Sequence, residues 1–164
     1  MPYIQTSRLT LITFTVAMMK AAISNKADLE KITTYRVADG YPMTAYKEII
    51  PYKIKQFSEY PHENKWEGIL VHNQTRTIIG DMGFRYRDGK QDELELGYSI
   101  VPSYQGHGYA TEMAQALVAW GKTQSGINRI IASCDYDNFA SIRVLEKAGL
   151  RRVEKKDSKI YWST

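Results

Sequence analysis

The stretch with the clearest capacity for chemistry is Tyr98-Ser99-Ile100-Val101-Pro102-Ser103-Tyr104-Gln105-Gly106-His107-Gly108-Tyr109-Ala110-Thr111. A strand pattern runs into a loop with two glycines, and the loop runs into a helix pattern. Small residues let the backbone approach a ligand closely. The open N–H groups of a helix N-terminus favour an anion, most often phosphate. The spacing is neither Gly-x-Gly-x-x-Gly nor the Walker pattern, which needs Lys-Ser/Thr after the glycines. On spacing alone, a tight turn whose glycines serve only the backbone path fits as well. Carboxylates are the second resource. Glu93 and Glu95 share one face of the strand before the loop, and Asp81 lies on the strand before that. Such a group can take a proton from an amine, directly or through water. A solvated strand face is the plain alternative.

Other reactive side chains carry weaker signals. Cys134 is the single cysteine, so no intramolecular disulfide is expected. No triad cue accompanies it, which favours a small packed side chain over a nucleophile. His62, His72 and His107 lack paired metal-ligand spacing, so no metal site is expected. His107 sits inside the glycine loop, where it either fills a variable position or touches a phosphate.

The elements that must position these residues follow from periodicity. Residues 8–14 alternate as a strand. Residues 15–35 read as helix, one or two segments, with Thr15 and Asn25 as caps. Asp39-Gly40 and Pro42 make 36–42 a loop. A helix covers about 45–59, with Pro51 at a kink or at the start of a second segment. Strand patterns then occupy 65–72, 76–87 and 92–101, joined by turns at 72–75 and at Asp88-Gly89. In 107–123, Ala110, Met113, Ala114, Leu117 and Val118 form a core-facing helical stripe. A strand at 127–135, a helix at 138–148 capped by Asp137 or Asn138, and two short strands about Asp157-Ser158 complete a mixed α/β order.

Joined to a second segment, the loop becomes specific. Gln105-Gly106-His107-Gly108-Tyr109-Ala110 fits Gln/Arg-x-x-Gly-x-Gly/Ala, the pyrophosphate loop of the GNAT N-acetyltransferases. Asn138-Phe139-Ala140-Ser141 through Glu146-Lys147-Ala148-Gly149-Leu150 resembles that family's Asn-x-x-Ser…Glu-Lys-x-Gly-Phe element. Thr6-Ser7-Arg8-Leu9-Thr10-Leu11 and Leu96-Gly97-Tyr98-Ser99-Ile100 resemble the RimJ/RimL branch, which includes ribosomal-protein N-terminal acetyltransferases. The resemblance spans essentially the whole chain, 1–164. It implies one domain with a mixed, mostly antiparallel central sheet, splayed between strands 92–101 and 127–135 and flanked by helices.

The resemblance also implies an activity, transfer of acetyl from acetyl-CoA to a primary amine by direct attack in a ternary complex. Acetyl-CoA would lie in the splay as co-substrate. Backbone of Tyr98, Ser99 and Ile100 would pair with its pantetheine arm. The loop Gln105, Gly106, His107, Gly108, Tyr109, Ala110 and Thr111 would hold its pyrophosphate. Asn138 would contact the arm, and Ser141 would donate to the leaving thiolate. Many members place a Tyr seven residues after that Asn as the acid; here the position is Leu145. Glu95 is the first candidate for the base, with Glu93 and Asp81 as alternatives. The acceptor expected from the branch is a protein N-terminal amine. A small-molecule amine, or a non-catalytic acyl-CoA-binding domain, stays open, because fold does not fix the acceptor.

Composition excludes other classes. The chain has 164 residues, 43% hydrophobic and 24% charged, in the range of a globular domain and away from disorder. No apolar run reaches the length of a membrane span, and the N-terminal residues lack a signal-peptide pattern. The expected location is cytoplasmic, with no membrane or DNA partner and with a homodimer left open. The net charge is +4. The whole excess falls in residues 143–164, just after Asn138 and Ser141. A basic C-terminal end suits anionic CoA better than it suits nucleic acid. Tyrosine is frequent. Tyr35, Tyr41, Tyr46, Tyr52 and Tyr60 cluster before the strands, to stack on a substrate or to pack between helices.

Overall fold

The computed structural model describes residues 3–164; Met1 and Pro2, the start of the N-terminal segment read above, lie outside the described residues. The chain divides into two compact units. One holds the residues up to Met82 together with Tyr98–Tyr109, and the other holds Gly83–Gly97 and Ala110–Thr164.

The first unit starts with β1 (Ile4–Gln5) and β2 (Leu9–Thr13), then α1 (Val16–Ser24) and α2 (Lys26–Thr33). Both helices begin where local chemistry says they must. Thr15 Oγ1 accepts from the Met18 N–H at 3.2 Å, and Asn25 Oδ1 accepts from the Asp28 N–H at 2.8 Å. The stretch 36–42 is not all loop, because β3 (Arg36–Val37) pairs in parallel with β5 (Thr77–Arg87). Helix α3 (Thr44–Glu59) runs through Pro51 as one element. Proline removes one helical N–H donor there, and burial of Ile50 and Phe57 on either side holds the segment helical. No second segment starts at Pro51. A 3₁₀ turn at Pro61–Trp66 leads into β4 (Glu67–His72), every residue of which is buried. Leu9, Leu11, Phe14, Met19, Ile50, Ile69, Leu70, Ile78, Ile79 and Met82 make the core of this unit. Each such side chain contributes about 1.5–3 kcal/mol on burial.

The second unit contains α4 (Tyr109–Lys122) from Ala110 onward, β7 (Arg129–Asp135), α5 (Phe139–Lys147), β8 (Arg151–Lys156) and β9 (Lys159–Ser163). The predicted stripe of α4 is its inner face, with Met113, Ala114, Leu117 and Val118 buried. Strand β6 (Lys90–Ile100) pairs in parallel with β7 over Glu93–Glu95 and Arg129–Ile131. Strands β7, β9 and β8 are antiparallel neighbours. Strands β5 and β6 run through both units. Nine strands form one mixed, mostly antiparallel sheet in the order β1-β2-β4-β5-β6-β7-β9-β8, with β3 on β5. This is the mixed, mostly antiparallel sheet that the family resemblance implies.

Candidate active site

The glycine loop leaves β6 through a 3₁₀ turn at Pro102–Tyr104 and enters α4 at Tyr109. Gly106 and Gly108 have φ of 79° and 81°. That left-handed backbone is costly for any residue with a Cβ. A Cβ at Gly106 would touch nothing within 4 Å, so glycine serves the backbone path and leaves the loop surface open. Open backbone at a helix start suits a diphosphate, the group that the resemblance assigns to this loop.

Several side chains fix this loop. Gln105 turns back and donates to the Ile100 carbonyl at 2.7 Å. Arg8 donates to the His107 carbonyl at 2.9 Å, and its guanidinium lies 4.6 Å from the centroid of the Tyr109 ring. The Tyr109 hydroxyl bonds His72 Nε2 at 3.0 Å, while His72 Nδ1 bonds Thr75 Oγ1 at 2.8 Å. Gln105 therefore braces the strand end rather than extending away from it. The sequence singled out the Arg8 segment only as a resemblance. Its contact is 99 positions away along the chain, and no local pattern could reveal it.

Further back in the same unit lies a buried polar network. Asp81, on β5, is 3% exposed, and Ser99 Oγ donates to its Oδ2 at 2.6 Å. Glu67 accepts from the Tyr46 hydroxyl at 2.8 Å and from Lys53 Nζ at 2.5 Å. Tyr41 is 7% exposed and its buried hydroxyl has no hydrogen-bond partner among the described residues. Burial pushes the Asp81 carboxyl well above the usual carboxylate range; the Ser99 hydroxyl opposes this, and the Glu67 charge adds to it. Burial, then the charges of Asp81 and Glu67, push the Tyr41 phenol up. Tyr46 is pushed up by burial and by Glu67. The tyrosine cluster thus splits, with Tyr41 and Tyr46 in the network and Tyr52 and Tyr60 exposed.

The second unit holds the other two carboxylates. Glu95 Oε2 accepts from Arg85 Nε at 2.7 Å and Nη2 at 2.6 Å. Its Oε1 faces no such pair. Glu93 is 2% exposed and meets Arg87 at 3.2 Å, Lys90 at 3.1 Å and Arg129. Burial pushes its carboxyl up, but the hydrogen bonds from Lys90, Arg129 and Arg87 outweigh burial and hold it at about 2. Asn138 is the N-cap of α5, its Oδ1 accepting from the Ser141 N–H at 3.1 Å. Ser141 is half-buried in the first turn. Leu145 is buried in the core. Cys134 is half-buried and receives the Trp162 indole N–H at 3.4 Å, a packing environment. Of the basic C-terminal residues, Arg152 pairs with Glu146 at 3.5 Å and Lys155 lies over the Tyr136 ring.

Among the described residues no helix is long and apolar enough to cross a membrane, and no group of three metal-ligating side chains occurs. The family profile described as Acetyltransferase (GNAT) domain matches residues 8–151. The uncharacterized N-acetyltransferase YjdG of Bacillus subtilis is 28% identical over 169 residues, covering 99% of this chain and 97% of that protein. The crystal structure of ribosomal-protein-S5-alanine acetyltransferase from Vibrio fischeri superimposes with a TM-score of 0.70 at 17% identity, covering 100% of this chain and 96% of that one. RimL, the ribosomal L7/L12 alpha-N-protein acetyltransferase solved with coenzyme A, gives 0.66 at 17% identity, covering 99% and 97%. A glycine loop shaped for a diphosphate, followed by an Asn-capped helix, sits within a profile match that takes in most of the chain: the chain belongs to the GNAT family and is an acetyl-CoA-dependent N-acetyltransferase.

Proposed function

We propose that this enzyme acetylates a protein N-terminal amine by direct attack in a ternary complex, without an acyl-enzyme. The observation that carries the cofactor side is the loop with Gly106 and Gly108 both at positive φ, opening into α4. Bound acetyl-CoA supplies the activated acetyl thioester. Backbone of Tyr98, Ser99 and Ile100 is assigned to the pantetheine arm, and N–H groups from Gly106 to Thr111 to the pyrophosphate. Arg8 keeps that loop in place through the His107 carbonyl. Asn138 and Ser141 open α5 together. In this reading Asn138 contacts the arm, and Ser141 offers a hydrogen bond to the departing thiolate. Leu145, buried and apolar, has no proton to give.

The amine must lose a proton, and a carboxylate takes it. Glu93 is saturated by three cations. Glu95, the first candidate, retains only Oε1 beyond its Arg85 pair. Asp81 has a single side-chain hydrogen-bond partner, a hydroxyl. The acceptor class rests on the ribosomal-protein acetyltransferases that share the fold. Acetyl-CoA consumption against N-terminal peptides and small amines tests the reading. Stimulation by free α-amino peptides supports it. Stimulation by small amines alone overturns the acceptor. CoA binding without turnover on any amine overturns the enzyme in favour of a binding domain.

A further inference from the structure

Among the described residues Asp81 is a buried acid without an ion pair. In the same network Glu67 is neutralised by Lys53 and bonded by Tyr46, so each of its oxygens already has a partner. Among the described residues Asp81 is bonded by Ser99 while Lys53 acts on it only at a distance, and a buried carboxylate without a direct cation partner is unfavourable unless it is protonated or a cation arrives. Tyr41 adds an independent sign. Its hydroxyl is buried, lacks a partner among the described residues, and lies within electrostatic range of both Asp81 and Glu67. A buried polar atom is ordinarily satisfied. A buried hydroxyl without a partner and a buried acid bonded by a hydroxyl, within electrostatic range of each other, suit a small polyvalent donor. A primary ammonium has three N–H donors and one positive charge, and it relieves both. Ser99 is less buried than Asp81 or Tyr41.

We propose that Ser99, Asp81 and Tyr41 form the seat that receives the acceptor's primary ammonium group and takes its proton. The step balances without a further reactant. As the ammonium N–H bond breaks, its proton goes to Ser99 Oγ. The Ser99 proton crosses the 2.6 Å bond to Asp81 Oδ2. The electron pair left on nitrogen becomes the nucleophile. Ser99 touches substrate in this scheme, and Asp81 acts through it. The groups that set the response of Asp81 to pH are Ser99 on β6, Glu67 on β4, Lys53 and Tyr46 on α3, and Tyr41 before α3. Burial raises the proton affinity of that carboxyl. The proposal rests on the amine-acetyltransferase reading and specifies the acceptor's place in it.

Two measurements on the full chain test it, one of them independent of turnover. Infrared titration follows the carboxylic-acid C=O stretch assigned to Asp81 by its loss in Asp81→Asn. With n-butylammonium chloride its midpoint should move down by about one pH unit, because a bound cation favours the carboxylate. Tetramethylammonium chloride at equal ionic strength should leave it in place, and Tyr41→Phe should shrink the shift. A midpoint indifferent to n-butylammonium, or the absence of any titrating Asp81 band, overturns the proposal. The second measurement is kcat/KM against pH with an accepted amine. Asp81→Asn should lower it about 10²–10⁴-fold and flatten the acid limb, with Ser99→Ala behaving alike and CoA affinity by calorimetry unchanged. An acid limb kept in Asp81→Asn and lost in Glu95→Gln overturns the proposal while acetyl transfer stands. An n-butylammonium response without turnover on any amine leaves the seat standing and overturns the transferase reading instead.

Discussion

Replacing Glu93 by Gln should cost stability at neutral pH and nothing at very low pH. Glu93 is buried, yet three cations hold its carboxyl at about 2 against an ordinary value of 4.5. That gap corresponds to about 3 kcal/mol of preference for the charged form in the folded chain. Arg87, Lys90 and Arg129 are each about half exposed. Solvent screens them, which brings the expected loss to about 1–2 kcal/mol. The sign follows from the direction of the displacement. A carboxyl held low in the folded state stabilises fully above the unfolded value, and that stabilisation disappears as pH falls from about 4.5 to about 2. Urea unfolding of the wild type and Glu93→Gln between pH 2 and pH 7 reads the difference. The two midpoints should lie apart at pH 7 and converge across that acid window. The gap at pH 7 should narrow in high salt. A Glu93→Gln protein as stable as the wild type at pH 7, or a gap that does not change between pH 4.5 and 2, would refute the reasoning. In either case the three cations would not be stabilising the charge.

Three other substitutions probe neighbouring parts of the site. Gly80→Ala should destabilise by several kcal/mol, by about the upper range for overpacking, because a Cβ there would collide with the Ser99 carbonyl; thermal melts should show a large fall. Asp81→Asn should raise the melting temperature at pH 8 and leave it unchanged near pH 3. A carboxyl pushed up by burial loses stability as pH rises through its folded value; identical pH profiles of the two proteins would contradict this. Arg8→Ala should weaken CoA binding by about tenfold, from the loss of one charge-assisted hydrogen bond to the loop, with calorimetry as the readout and unaltered affinity as the contrary result.

What the sequence revealed and what it hid divide along contact distance. Thr15, Asn25 and Asn138 are legible as helix caps because a cap bonds residues three positions on. The stripe of α4 is legible because burial of one face imposes a period of 3.6. Strands β1 and β3 have two residues each, too few for alternation to register. The continuity of α3 through Pro51 is hidden because local propensity opposes it and burial decides it. The glycine loop is readable as a motif, whereas the Arg8 and His72 contacts that hold it join residues 99 and 37 positions apart. The same limit applies to Ser99 and Asp81, which are 18 positions apart and meet through strand pairing.

The three strand carboxylates show why residue type and face could not assign the base. Alternation puts Glu93 and Glu95 on one side of β6, and nothing in the pattern distinguishes them. Their partners do. Glu93 faces three cations and is held ionised, a condition suited to stability. Glu95 is 22% exposed and binds one guanidinium through a single oxygen, so it can still meet a donor at the surface. Asp81 is buried beside a hydroxyl, with the charge of Glu67 raising its proton affinity and that of Lys53 opposing it. One functional group therefore spans a range from about 2 to well above the usual carboxylate range, set by how many cations it meets and how much water it keeps. Proton transfer at neutral pH favours the member whose charged and neutral forms lie close in energy. Burial raises the proton affinity of Asp81 and makes it costly to keep ionised in the folded chain. In the proposed seat that cost is the counterpart of proton uptake, so the stability test on Asp81 and the kinetic test on the seat probe the same property from opposite sides.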